Sequence, residues 1–69
     1  MRRMVELRKK AGLTQAQVAL ALGVRQSTVA MWESGSNLPR ADKLLKLAGV
    51  FHCTVDDLLV SESQKQGGK

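Results

Sequence analysis

Apolar residues in the first third of the chain recur at helical spacing, and glycines interrupt them. Met4, Leu7 and Ala11 lie three or four residues apart in or beside a stretch of strong helix formers, Arg2 to Lys10, and Gly12 follows as a left-handed cap. This is the first predicted helix. Thr14 stands three residues before Gln17, so its side chain can accept from the Gln17 backbone while the Gln17 side chain reaches back. A second helix therefore starts there and runs to about Leu22, where Gly23 permits the positive φ that ends it abruptly. A third follows from about Arg25 to Ser34.

Gly35 to Pro39 reads as a loop, with Pro39 just before or at the opening turn of a fourth helix that buries Leu44, Leu47, Ala48 and Phe51. His52 takes the position after that helix, where a left-handed conformation is expected. Thr54 and Asp57 repeat the capping pattern and open a fifth helix carrying Val55, Leu58 and Leu59. Residues 61–69 are polar and contain glycine, which predicts a flexible tail behind one domain over residues 1–60.

Aromatic residues make up only 3% of the chain against 43% hydrophobic, which suits aliphatic helix packing better than a strand-rich sandwich. The expected fold is all-α. A chain of 69 residues buries only about 60% of its unfolded surface, so its stability is expected to be marginal. Eleven Lys and Arg against six Asp and Glu give a net charge of +5, which favours a polyanionic partner.

Other classes fare worse. The apolar run from Val18 to Val24 is too short to span a bilayer, and the basic start is not followed by a signal-like apolar stretch, so a cytoplasmic protein without membrane association is expected. With one cysteine, Cys53, and one histidine, His52, the chain offers neither an internal disulfide nor a Cys/His metal site. Neither residue has the separated partners that nucleophilic catalysis needs, so no catalytic residue and no cofactor is expected. Cys53 reads as a small buried apolar residue.

Counting from Gln15, the residues Val18, Ala19, Leu22, Gly23, Val24, Val29 and Trp32 have the spacing of two helices crossing at about 90–120° through a short turn. Such a crossing needs a small residue at the closest approach, a glycine at the corner and apolar residues facing inward. With these positions the chain resembles the Cro/cI-type, or XRE-type, helix-turn-helix repressors over about Val5 to Leu59. The resemblance rests on Leu13-Thr14-Gln15, Val18-Ala19, Leu22-Gly23-Val24, Ser27-Thr28-Val29, Trp32-Glu33, Gly35, Pro39, Leu44, Leu47-Ala48 and Val55-Asp56-Asp57-Leu58-Leu59. It implies a compact five-helix, lambda-repressor-like domain, with the helix-turn-helix formed by helices two and three and the third helix in the major groove of an operator.

Stepping about 100° per residue, Val29 and Trp32 mark the buried stripe of that helix, and Ser27, Ala30, Met31 and Ser34 lie opposite. Gln26 and Thr28 flank them. The expected base-reading set is Gln26, Ser27, Thr28, Ala30 and Met31: Gln bonds an adenine edge, Ser addresses a donor or an acceptor, and Ala or Met packs on a thymine methyl. The resemblance also implies phosphate contacts from Gln15 and from Asn37, Arg40 and Lys43, although Lys43 reads equally well as an exposed helix charge. It further implies a salt bridge between Arg8 and Glu33 that ties helix one to helix three. Many relatives have a Ser or similar cap where this chain has Arg25 and Arg40. Either the caps shift, or each arginine is kept for DNA contact at the expense of helix stability.

Val55, Leu58, Leu59 and Val60 exceed what one face can bury, so a homodimer interface is expected there. The expected function is sequence-specific binding of double-stranded DNA as a small transcriptional repressor. The alternative is a protein-binding module, such as the antitoxin of a toxin pair, whose main partner is another protein.

Overall fold

The computed structural model describes residues 2–59; Val60 and the tail expected over 61–69 lie outside them. Four helices run in order, α1 (Arg2–Lys10), α2 (Gln15–Leu22), α3 (Gln26–Ser34) and α4 (Ala41–Val50), and a short helix α5 follows at 55–59. No strand occurs among the described residues. The fold is the all-helical, lambda-repressor-like arrangement, with α2 packed against α3 and α4, and α1 against α3.

Three of the helices end in the same way. After α1 the Gly12 N–H donates to the Lys9 carbonyl at 3.0 Å and the Leu13 N–H to the Arg8 carbonyl at 3.1 Å. After α2 the donors are Gly23 and Val24, on Leu20 and Ala19, at 3.3 and 3.0 Å. After α4 they are His52 and Cys53, on Gly49 and Ala48, at 3.3 and 2.9 Å. This paired pattern is the Schellman motif, which requires a left-handed residue and sets an apolar one just beyond it against the helix. Gly12, Gly23 and His52 have φ of 75°, 71° and 56°, and Leu13, Val24 and Cys53 pack against the core. The motif therefore turns the chain and closes the core in one step.

Helix starts are equally local. The Gln17 N–H donates to Thr14 Oγ1 at 3.1 Å and the Thr14 N–H to Gln17 Oε1 at 2.8 Å, a complete capping box. Thr54 and Asp57 build a second one, at 3.0 and 3.1 Å, before α5.

The core contains Met4 and Leu7 of α1, Val18, Ala19 and Leu22 of α2, Val29 and Trp32 of α3, Leu47 and Ala48 of α4, then Phe51 and Leu58. Ala11 lies past the end of α1 and is exposed, and Leu44 is half-buried. Leu58 is 0% exposed, which removes it from the expected dimer interface: its side chain is spent on the core of its own protomer. Val55 and Leu59 beside it are half-buried and pack on the same core.

At Gly23 an added Cβ would meet nothing within 4 Å, so only backbone conformation opposes a side chain there. Gly23→Ala is expected to lower stability by about 1–2 kcal/mol, the strain of a left-handed L-residue, with Gly23→Asn milder; urea unfolding checks both. A second expectation concerns acid. Hydrogen bonds from Thr54, the backbone one first, hold the Asp57 carboxyl below its usual range. A folded-state pKa lowered in this way adds stability above the ordinary carboxylate value of about 3.9, and that stability is lost as pH falls through the folded value. Asp57→Asn, which keeps an acceptor in the cap, should therefore flatten the acid limb of the stability curve below about pH 4.

Candidate nucleic-acid interface

The turn at Gly23 and Val24 sends α3 away from α2 with Val29 and Trp32 facing inward. Away from that stripe, and apart from Glu33 beside Trp32, α3 turns toward solvent by geometry alone. Gln26 and Ser27 are exposed at its start, Met31 is 39% exposed near its end, and Thr28 and Ala30 are half-buried on the flanks. Ser34 turns its hydroxyl back onto the Met31 carbonyl at 3.1 Å. The five side chains expected to read bases thus lie on the outward surface of one helix, its hydroxyl, amide, methyl and thioether groups suited to base edges.

Arg25 and Arg40 occupy the N-cap positions of α3 and α4, both in extended conformation and without a side-chain cap hydrogen bond. The caps have not shifted to neighbours. Both arginines are exposed, as is Asn37 in the loop between the two helices.

Two of the residues expected at phosphates also bond within the protein. Lys43 is half-buried, with its ammonium 3.5 Å from the Leu22 carbonyl at the end of α2. The last turn of α2 contains no basic residue of its own, and a cation there suits the negative pole of the helix. Gln15, the first residue of α2, donates from its amide to Glu33 Oε1 at 2.9 Å. Only the N–H side of an amide can face a carboxylate, so the orientation of Gln15 follows from its partner.

Glu33 also receives Arg8, from Nε to Oε2 at 2.6 Å and from the terminal nitrogen NH2 to Oε1 at 3.3 Å. The other terminal nitrogen of Arg8 donates to the Leu13 carbonyl at 3.0 Å. The side chains of Arg8 and Glu33 are 13% and 7% exposed, so this forked pair is shielded from solvent. The pairing of Arg8 with Glu33 follows from the resemblance. The part played by Gln15 had no sequence signal, because its partner lies 18 residues away.

Among the described residues no group of three or more His, Cys, Asp or Glu could hold a metal ion, and no helix is long and apolar enough to cross a membrane. Burial first, then the charge of Asp57, push the Cys53 thiol above its ordinary pKa. A thiol shifted that way is a poor nucleophile at neutral pH.

The family model described as Helix-turn-helix matches residues 4–58, which spans α1 through most of α5. The chain belongs to the XRE-type helix-turn-helix family of transcriptional regulators. It is 44% identical over 64 residues to the HTH-type transcriptional regulator AnsR of Bacillus subtilis, covering 93% of this chain and 55% of that protein. An uncharacterized HTH-type transcriptional regulator of Archaeoglobus fulgidus is 34% identical over 67 residues, covering 97% of this chain and 96% of its own length. The cryptic phage CTXphi transcriptional repressor RstR of Vibrio cholerae is 34% identical over 56 residues, covering 81% of this chain and 50% of that protein. The chain thus spans about half the length of AnsR and RstR, and nearly all of the archaeal relative. No solved structure matches it significantly.

The uncapped arginine at the start of α3 yields a prediction. Arg25→Ser should raise stability by about 1 kcal/mol by restoring a side-chain cap, as measured by urea unfolding. If Arg25 serves phosphate, the same substitution should weaken duplex binding and make its salt dependence shallower.

Proposed function

We propose that this regulator binds an operator in double-stranded DNA as a repressor, with α3 in the major groove. Gln26, Ser27, Thr28, Ala30 and Met31 read base edges, and Arg25, Asn37 and Arg40 hold phosphates on either side of the reading helix. The observation that carries this reading is the outward face of α3, polar groups with small and flexible apolar ones, flanked by exposed arginines at the starts of α3 and α4. The net charge of +5 supports it, as does the similarity to a phage repressor by name.

A homodimer belongs to this reading, because two copies of α3 about 34–36 Å apart would meet half-sites one helical turn distant. With Leu58 in the core, the surface left for that contact among the described residues of the last helix is Val55 and Leu59. Sedimentation with and without operator checks the dimer, which a monomer under both conditions would exclude.

Selection of binding sites from random duplexes tests the reading directly. Gln26→Ala is expected to cost about 1–3 kcal/mol on the selected site and to relax preference at one base pair. A dimer contacting about 6–10 phosphates should lose roughly 10³–10⁵ in affinity between 50 and 200 mM salt. Failure to enrich any sequence, or binding indifferent to salt, would overturn the proposal.

A further inference from the structure

A groove of about 540 Å³ runs between α1 and the segment that joins α4 to α5, and it opens to solvent. That is the size of a site for a small organic molecule. None of its lining residues belongs to the set proposed to contact DNA. Leu7 and Phe51, both buried, and the half-buried Leu13 give the groove an apolar wall. Burial pushes the Cys53 thiol above its ordinary pKa, so that side chain adds a neutral surface.

Two cations flank the wall. Arg3 and Lys10 stand seven residues apart on α1, two turns along one face with Leu7 between them, and the helical rise sets their backbones about 10 Å apart. Asp57, the carboxylate of the groove, is already engaged: it accepts the Thr54 N–H at 3.1 Å in the cap of α5. The balance of charge is therefore positive.

Arg3 supplies the deciding observation. One terminal nitrogen of its guanidinium, NH1, meets Glu6 Oε1 at 3.0 Å, while its Nε is buried and has no hydrogen-bond partner. A buried donor without an acceptor is uncommon in folded proteins and calls for an explanation. Arg8 shows how such an edge is completed: there Nε and NH2 together hold the Glu33 carboxylate side-on, at 2.6 and 3.3 Å. Among the described residues none supplies an acceptor to the Nε of Arg3. Its side chain is 36% exposed, so the guanidinium has the freedom to turn this edge into the groove.

We propose that the groove binds a small organic carboxylate with an apolar body, the carboxylate on the side edge of Arg3 and the body against Leu7, Leu13 and Phe51. Lys10 adds attraction from the other end. The assignment stands independently of the operator reading, since none of these residues reads bases or holds phosphates in it. A ligand seated there joins α1 to the α4–α5 connection and stabilises the folded chain as it binds.

The test titrates the full chain with octanoate and, separately, with octanol, which keeps the body and lacks the charge, following proton–nitrogen correlation spectra. Octanoate is expected to give saturable shifts at Leu7, Leu13, residues 50–53 and the Arg3 Nε–H, with half-saturation near 1 mM, roughly the scale for a ligand of about ten heavy atoms. Octanol should bind about tenfold more weakly. Arg3→Met should weaken octanoate about tenfold, as expected for a lost hydrogen bond to a charged group, and leave octanol unchanged. The exposed pair that Arg3 makes with Glu6 contributes little to stability, so this variant is expected to fold, which a thermal melt verifies. Lys10→Gln should weaken octanoate by a smaller factor that shrinks as salt is added.

Shifts centred on Arg25 and Arg40, shifts that grow without saturating up to about 10 mM, or equal binding of octanol would refute the site. So would an octanoate affinity that Arg3→Met leaves unchanged. Should Arg3→Met not fold, the wild-type shift map and the preference for octanoate over octanol decide.

Discussion

Arg8 grips Glu33 through Nε at 2.6 Å and through a terminal nitrogen at 3.3 Å, and its remaining nitrogen holds the Leu13 carbonyl. This contact joins α1, the α1–α2 connection and the last turn of α3, and Gln15 brings α2 to the same carboxylate. The pair is shielded by its surroundings, so removing one partner would strand a charge, at a cost on the order of 3–5 kcal/mol, while replacing both by apolar groups can be nearly neutral. Its contribution is therefore one of arrangement. Hydrophobic burial is indifferent to a rotation of a few degrees between helices, but forked hydrogen bonds are directional and are not. The packed face of α3, Val29 and Trp32, is buried in the core, and Glu33 adds directional contacts to α1 and α2.

The same logic extends to the poles of α2. This helix has no acidic residue in its first turn and no basic residue in its last. Glu33 of α3 stands beside its first residue and Lys43 of α4 reaches its last carbonyl. Charges that another helix might carry locally are supplied here across the tertiary fold, with signs that suit the helix dipole. Lys43 thus faces the C-terminal carbonyl of a neighbouring helix. By contrast, Arg25 and Arg40 occupy cap positions, and their side chains return no cap hydrogen bond to their helices. Both lie exposed beside α3 and the loop that follows it, a local departure from helix stability of the kind expected where a surface serves a function such as the proposed DNA contact.

Much of the architecture was legible before any coordinates because it is built from short-range chemistry. Thr14 with Gln17 and Thr54 with Asp57 announce helix starts, and both boxes are present. Gly12, Gly23 and even His52 announce ends, and all three are left-handed. These signals span three to six residues, a distance over which the backbone's own hydrogen-bonding demands fix the geometry. The outward set on α3 was legible too, because Val29 and Trp32 define one face and helical periodicity then places every other residue.

Periodicity had less to say about α2 and the end of the chain. The run Gln15–Leu22 is apolar on nearly every side, so hydrophobicity alone does not separate the buried Val18, Ala19 and Leu22 from Leu20, which is 84% exposed; only the helix-turn-helix spacing does. An excess of apolar residues after Thr54 read as a dimer surface, but the core had room for Leu58. Gln15 and Lys43 show the same limit from the polar side. A side chain with donors to spare takes whichever acceptor the packed helices bring near, and the distance to Glu33 or to the Leu22 carbonyl exists only once α2, α3 and α4 have met. By itself, then, the sequence determined where the helices start, stop and turn, through contacts within a few residues. Tertiary structure alone decided which long polar side chains serve the scaffold and which stay on the surface, since that choice depends on directional bonds between residues far apart in the chain.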